Sequence, residues 1–183
     1  MSHALTSKID RPIVLVGMMG AGKSTVGRRL AKRLALPFVD SDSAIEDASG
    51  FTPAEVFEKF GEENFRDGER RLIARLVKEG TIQVIATGGG AYIDNRTRTL
   101  LNRETITIWL DADIELLAER TWRGATRPLL KGDVKERKAT LKRIAEERGS
   151  RYQEAHLHIR SGKGAHGQVV DKIVTALTRH LKS

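Results

Sequence analysis

The chain has 183 residues, 39% of them apolar and 31% charged, with 32 basic against 24 acidic side chains and a formal net charge of +8. That length suits one domain with a real core; the lack of cysteine excludes disulfides, thiolate catalysis and thiolate zinc sites. No apolar run approaches the roughly 18–20 residues that a membrane span needs. Ile13 to Val16, the longest pure apolar run near the start, is four residues long, so no secretory signal is expected. A cytoplasmic enzyme or small binding module remains. The charge is uneven: residues 120–151 carry 11 basic and 4 acidic side chains. With only Trp122 and Tyr152 as aromatic faces nearby, and acids interleaved, that segment suits a phosphate-rich small ligand or a solvated helix face better than nucleic acid.

In chain order, residues 1–10 are polar without a period and are expected to be a loose tail, leaving 11–183 as a single domain. Ile13 to Val16, between Pro12 and Gly17, reads as a buried strand. Val26, Leu30, Ala31 and Leu34 recur at helical spacing in the segment that opens at Ser24. Pro37-Phe38-Val39 is a second short strand ending at Asp40. Thr52-Pro53-Ala54-Glu55 is a capping box with proline at the first helical position, and Gly61 should end that helix. Phe65, Leu72, Ile73, Leu76 and Val77 mark another helix, closed by Gly80. Ile82 to Ala86 and Thr105 to Leu110 read as strands, and Asp113 to Trp122 as a helix with acids in its first turn. After Gly132 a long polar helix runs towards Tyr152, followed by a strand at Leu157 to Ile159 and a last helix from Gly167. Strands separated by helical crossovers predict an α/β domain of three layers, a parallel sheet of five strands covered on both faces.

Gly17-Met18-Met19-Gly20-Ala21-Gly22-Lys23-Ser24 fits the G-x-x-x-x-G-K-[ST] pattern between a predicted strand and a predicted helix. Glycines let the N–H groups of Gly20, Ala21 and Gly22 turn inward around a polyphosphate at the positive end of the helix. Lys23 supplies a cation to the β and γ phosphates, Ser24 offers a hydroxyl to Mg²⁺, and Thr25 follows as a further nucleotide contact. The chain is therefore expected to bind a nucleoside triphosphate. No Asn-Lys-x-Asp guanine motif occurs, which weighs against a GTPase. Asp40-Ser41-Asp42 ends the second strand, where ligands of open α/β sheets sit. In extended backbone both carboxylates would share a face, one for a metal and one for a proton; equally, Asp42 before Ala44-Ile45 reads as a helix cap. His156 and His158 share a strand face, and without a third ligand they read as a half-exposed pair rather than a metal site.

Glu63-Asn64-Phe65-Arg66, Gly88-Gly89-Gly90 and Arg127-Pro128-Leu129-Leu130 follow in order. Together with the phosphate loop and Asp40-Ser41-Asp42, over roughly residues 13 to 180, this pattern resembles shikimate kinase. The resemblance implies a P-loop kinase fold with strand order 2-3-1-4-5 and a mobile lid at about 123–135. It also implies MgATP-dependent phosphorylation of the 3-hydroxyl of shikimate, in the route to chorismate and the aromatic amino acids. By motif, Asp42 meets the reacting hydroxyls, Asp40 helps to hold Mg²⁺, and Arg66 and Arg148 grip the substrate carboxylate. Arg151 is the alternative to Arg148, because the Pro-Leu-Tyr string usual after that arginine is Gly149-Ser150-Arg151-Tyr152 here. Gly89, within Gly88-Gly89-Gly90, turns a backbone N–H to the substrate; Arg127 is the lid arginine facing the transferred phosphoryl group, and Arg120 flanks the adenine. The glycine-rich Ser161 to His166 stretch holds no match to the arginine of the family's adenine loop. The expected partners are shikimate and ATP, with no nucleic acid, no membrane and a monomeric state. The rivals are a gluconate kinase-like enzyme of the same fold and a nucleotide-binding regulatory module.

Overall fold

The computed structural model describes residues 5–122, 130, 132–162 and 164–182. Arg127, and most of the segment expected to form a lid, lie outside the described residues. The first strand, β1 (Ile13–Val16), is buried along its whole length, as its unbroken apolar sequence requires of a strand covered on both faces. Its neighbours are β3 (Val84–Ala86) and β4 (Ile106–Ala112), with Val14 opposite both Ile85 and Thr107. β2 (Phe38–Asp40) and β5 (Leu157–Ser161) form the edges, every pairing is parallel, and the order is 2-3-1-4-5. That is the sheet implied by the resemblance.

Seven helices of the described residues surround it. α1 (Lys23–Leu34) buries Val26, Leu30, Ala31 and Leu34, the side chains at helical spacing, against the sheet. α2 (Ser41–Ser49) follows β2 without a loop. α3 (Pro53–Lys78) opens on the predicted capping box: Thr52 Oγ1 accepts from Glu55 N–H, and Glu55 Oε2 accepts from Thr52 N–H at 2.8 Å. Gly61 interrupts α3 with φ 81° and ψ 166°, so the expected helix end there is a kink, after which the chain resumes its helical path. α4 (Asn95–Glu104), α5 (Ile114–Trp122), α6 (Val134–Tyr152) and α7 (His166–His180) complete the layers.

Two helices, α2 and α4, were absent from the pattern of apolar residues. The reason is that α2 buries only Ser41 and Ile45, and α4 only Thr97 and Leu101, so neither carries an apolar stripe. Residues 5–10 also depart from the expected loose tail. Leu5 and Ile9 belong to the core, and Thr6 Oγ1 donates to the Leu34 carbonyl at 2.9 Å, tying this segment to the end of α1.

Candidate active site

The phosphate loop leaves the C-terminal end of β1 and enters α1 through Gly22, whose φ of 93° lies in the left-handed region that glycine tolerates. Lys23 is buried, and its ammonium donates to the carbonyls of Gly17 (2.8 Å) and Met18 (2.9 Å), which hold the cation over the loop. Ser24 and Thr25 are exposed at the start of α1. Arg120, from α5, reaches the same loop and donates to the Gly20 and Ala21 carbonyls at 3.3 Å. Burial lowers its pKa from the ordinary value, and the guanidinium remains charged. His166, at the start of α7, also lies beside Gly22, 3.8 Å from where a Cβ there would stand. Burial, with Arg120 and Arg29 nearby, lowers its pKa, so the ring is neutral at pH 7.

Beside the loop lies a cleft of about 110 Å³. Met19 of the loop forms one wall, Asp42 another, and Pro53, Ala54, Phe57 and Phe65 of α3 an apolar floor. Arg66, Glu69, Gly88, Gly89, Gly90 and Arg148 complete it. Four segments far apart in sequence thus bring Asp42, Arg66, the triple glycine and Arg148 to one place. Arg151 is not there; it is exposed and donates to the Glu147 carbonyl, so of the two alternatives Arg148 is the one in the cleft.

Asp40 and Asp42 do not share a strand face. β2 ends at Asp40, whose carboxylate accepts from Asp42 N–H at 3.0 Å and caps α2. The cap is thus Asp40, while Asp42 stands in the first helical turn with its side chain lining the cleft. Such a cap is worth about 1 kcal/mol.

The glycine run is explained by the charged groups packed on it. A Cβ at Gly88 would lie 2.5 Å from Glu69 Oε1 and 3.0 Å from Asp42 Oδ1, and one at Gly90 would lie 2.6–2.7 Å from the Arg66 guanidinium. Glu69 was not singled out from the sequence, yet it organises this part of the site. Its Oε2 accepts from Arg66 Nη1 at 2.7 Å, and Glu62 stands 3.8 Å from Arg66 Nε. Glu69 is almost wholly buried, and its Oε1 has no hydrogen-bond partner among the described residues. Burial raises its pKa, against the pull of Arg66; Asp42 raises it further. Ser41, also missed, accepts from Gly88 N–H at 3.0 Å and fixes the start of the run. Tyr152 donates its hydroxyl to the Gly89 carbonyl at 2.6 Å, and Arg148 Nη1 donates to the same oxygen at 3.0 Å. Burial raises the Tyr152 pKa, opposed chiefly by Arg148, so the phenol keeps its proton. Ser41 and Tyr152 have no local pattern to announce them, because each acts on a partner in another element; Glu69 pairs with Arg66 one turn away in α3, a spacing that an exposed ion pair would share.

The two strand histidines serve structure. His156 Nδ1 accepts from Thr107 N–H at 3.1 Å, while His158 stacks on Trp109 with centroids 4.1 Å apart and pairs with Asp111 at 3.1 Å. Among the described residues no cluster of three metal-ligating side chains occurs, and no helix is long and apolar enough to cross a membrane.

The model of the shikimate kinase family matches residues 19–178. The chain is similar to a curated shikimate kinase of Zymomonas mobilis, 48% identical over 98% of this chain and 100% of that one. It is also similar to one of Rhodopseudomonas palustris, 49% identical over 94% and 83%. Among solved structures, shikimate kinase from Acinetobacter baumannii in complex with shikimate superposes with a TM-score of 0.88 at 37% identity, covering 93% of this chain and 94% of that one. A gluconokinase from Sinorhizobium meliloti, at 16% identity and a TM-score of 0.60, shares the fold alone. With the family model spanning most of the chain and relatives near half identity along nearly its whole length, the chain belongs to the shikimate kinase family.

Proposed function

We infer that the protein transfers the γ-phosphoryl group of MgATP to the 3-hydroxyl of shikimate, giving shikimate 3-phosphate and ADP. The observation that carries this reading is the cleft itself: a carboxylate, Asp42, shares it with Arg66 and Arg148, and the phosphate loop forms its wall through Met19. A small polyol acid fits that set. Two guanidiniums take its carboxylate, and the Asp42 carboxylate orients a hydroxyl and accepts its proton as the oxygen attacks phosphorus. The floor of Phe57 and Phe65 covers the apolar face of a ring.

The loop N–H groups from Gly20 to Ser24 and the Lys23 ammonium take the phosphate charge, and Arg120 borders the nucleotide end of the loop. Ser24 and Asp40 are hard oxygen donors at the start of α1 and the end of β2, the ligand type that Mg²⁺ takes, so the residues present fit that ion. When bound, Mg²⁺ neutralises charge on the β and γ phosphates. By its motif, Arg127 adds a cation to the transferred group. The reading includes a cytoplasmic monomer, which sedimentation of the purified protein and fractionation of cells would check. The deciding experiment is ADP release from MgATP with shikimate, with gluconate and with neither. Release on shikimate alone is expected; equal release on gluconate, or none on shikimate, would refute the assignment.

A further inference from the structure

The Gly89 carbonyl receives two donors. Arg148 Nη1 lies 3.0 Å away and the Tyr152 hydroxyl 2.6 Å away, both from the last turns of α6. If Arg148 turns Nη1 to a substrate carboxylate, that oxygen loses this donor. A half-buried carbonyl that loses its only donor from the protein offsets much of the hydrogen bond gained elsewhere, so the exchange would bring little. Here a second donor is already in place. Tyr152 is 1% exposed, and its ring is fixed by stacking against Tyr92 (centroids 6.3 Å) and Trp109 (5.8 Å), so the hydroxyl cannot follow the arginine. The ring stack ties the end of α6 to Trp109 of β4 and to Tyr92 in the short 3-10 turn Ala91–Ile93.

We propose that Tyr152 is a positioning residue: it keeps the Gly89 carbonyl bonded while Arg148 moves to the acceptor's carboxylate. The proposal rests on the functional reading above. It makes Arg148 a side chain with two low-cost partners, the Gly89 oxygen without substrate and a carboxylate with it. It also keeps the glycine run, anchored at its other end by Ser41 Oγ on Gly88 N–H, in one shape through both states.

Tyr152→Phe keeps the stacked ring and deletes the hydroxyl. Steady-state kinetics on this variant should show KM for shikimate raised about tenfold, the size expected when a hydrogen-bonding group loses its partner on binding. KM for MgATP and kcat should stay within about twofold. The discriminating probe is shikimate with its carboxylate reduced to a primary alcohol, which gives Arg148 no reason to leave Gly89. On that acceptor the variant and the wild type should agree within about twofold. Equal losses on both acceptors would mean a merely structural tyrosine, and an unchanged KM for shikimate would mean no role; either overturns the proposal. Should the variant lose its melting transition, 3-fluorotyrosine at 152, a stronger donor of the same shape, takes its place: a KM at or below wild type is expected, and a tenfold rise overturns the proposal. A wild type that releases no ADP on shikimate overturns the functional reading and this proposal with it. An active wild type with a silent Tyr152→Phe overturns the proposal alone.

Discussion

Position 42 carries a carboxylate in the first turn of α2, beside Glu69 and the Gly88 backbone, on the wall of the cleft proposed for the acceptor. Asp42→Asn keeps its shape and removes both the charge and the basicity. Because Asp40 and not Asp42 caps the helix, the fold should be unaffected, while kcat falls about 10²–10⁴-fold with KM for MgATP little changed. A loss below about threefold in a stopped assay would remove Asp42 from the proton-accepting role. Glu69 makes a different claim, about pH. Burial raises its folded pKa above that of the unfolded chain, about 4.3, so the folded state binds more protons above that pH. The stability this contributes is fully present below the unfolded pKa and is lost as pH rises through the folded one. Urea unfolding of wild type and Glu69→Gln over pH 4 to 8 should therefore show the wild type losing ground to the variant as pH rises through that window. Parallel curves would contradict the burial argument. Neutralising Glu69 also releases Arg66, so KM for the acceptor should rise in the same variant.

The loop between β3 and α4 is where an element, rather than a side chain, sets the site. Side chains at its three glycines would press on Glu69 and Asp42 at position 88, on the Met19 backbone at 89 and on Arg66 at 90. Gly90→Ala would drive a methyl to within 2.7 Å of the Arg66 guanidinium and displace it from Glu69. The expected result is a rise of tenfold or more in KM for shikimate, with nucleotide binding by titration calorimetry unchanged. Gly61 is the contrasting case. Its φ of 81° needs glycine, but nothing stands within 4 Å of a Cβ there. Gly61→Ala should cost about 1 kcal/mol in urea unfolding through backbone strain alone, leaving KM for both substrates in place. The same contrast explains what sequence patterns find. Thr52 with Glu55 announced a helix start because a cap is a local interaction, whereas α2 and α4 bury two residues each and escaped notice.

At the scale of the molecule, nucleotide binding and folding are linked. ATP that binds only the folded chain raises its stability by about 2.7 kcal/mol at a concentration one hundred times Kd. Lys23→Ala removes a cation held by the Gly17 and Met18 carbonyls without opening the core sheet. The variant should melt near the wild-type temperature, show no shift with MgATP, and lose turnover about 10²-fold or more. A normal ATP-induced shift would take Lys23 out of the phosphate site.

The sequence by itself determined the phosphate loop and the five strands, and its resemblance to a family named the candidates for the acceptor set. Each is written in a short window: a strand, a turn and a helix start for the loop, short runs rich in apolar and β-branched residues for the strands, and the family's motifs for Asp42, Arg66 and the triple glycine. Only the tertiary structure decided which aspartate caps α2, that Arg148 and not Arg151 enters the cleft, and that Glu69, Ser41 and Tyr152 support it. It also drew residues 5–10 into the core through Leu5 and Ile9. The physical reason is range. Backbone conformation follows from neighbours a few residues away, whereas Tyr152 meets Gly89 across 63 positions and Ser41 meets Gly88 across 47. Those contacts exist only after the sheet has brought its strand ends together, and a hydroxyl or a buried carboxylate has no periodicity that would announce its partner beforehand.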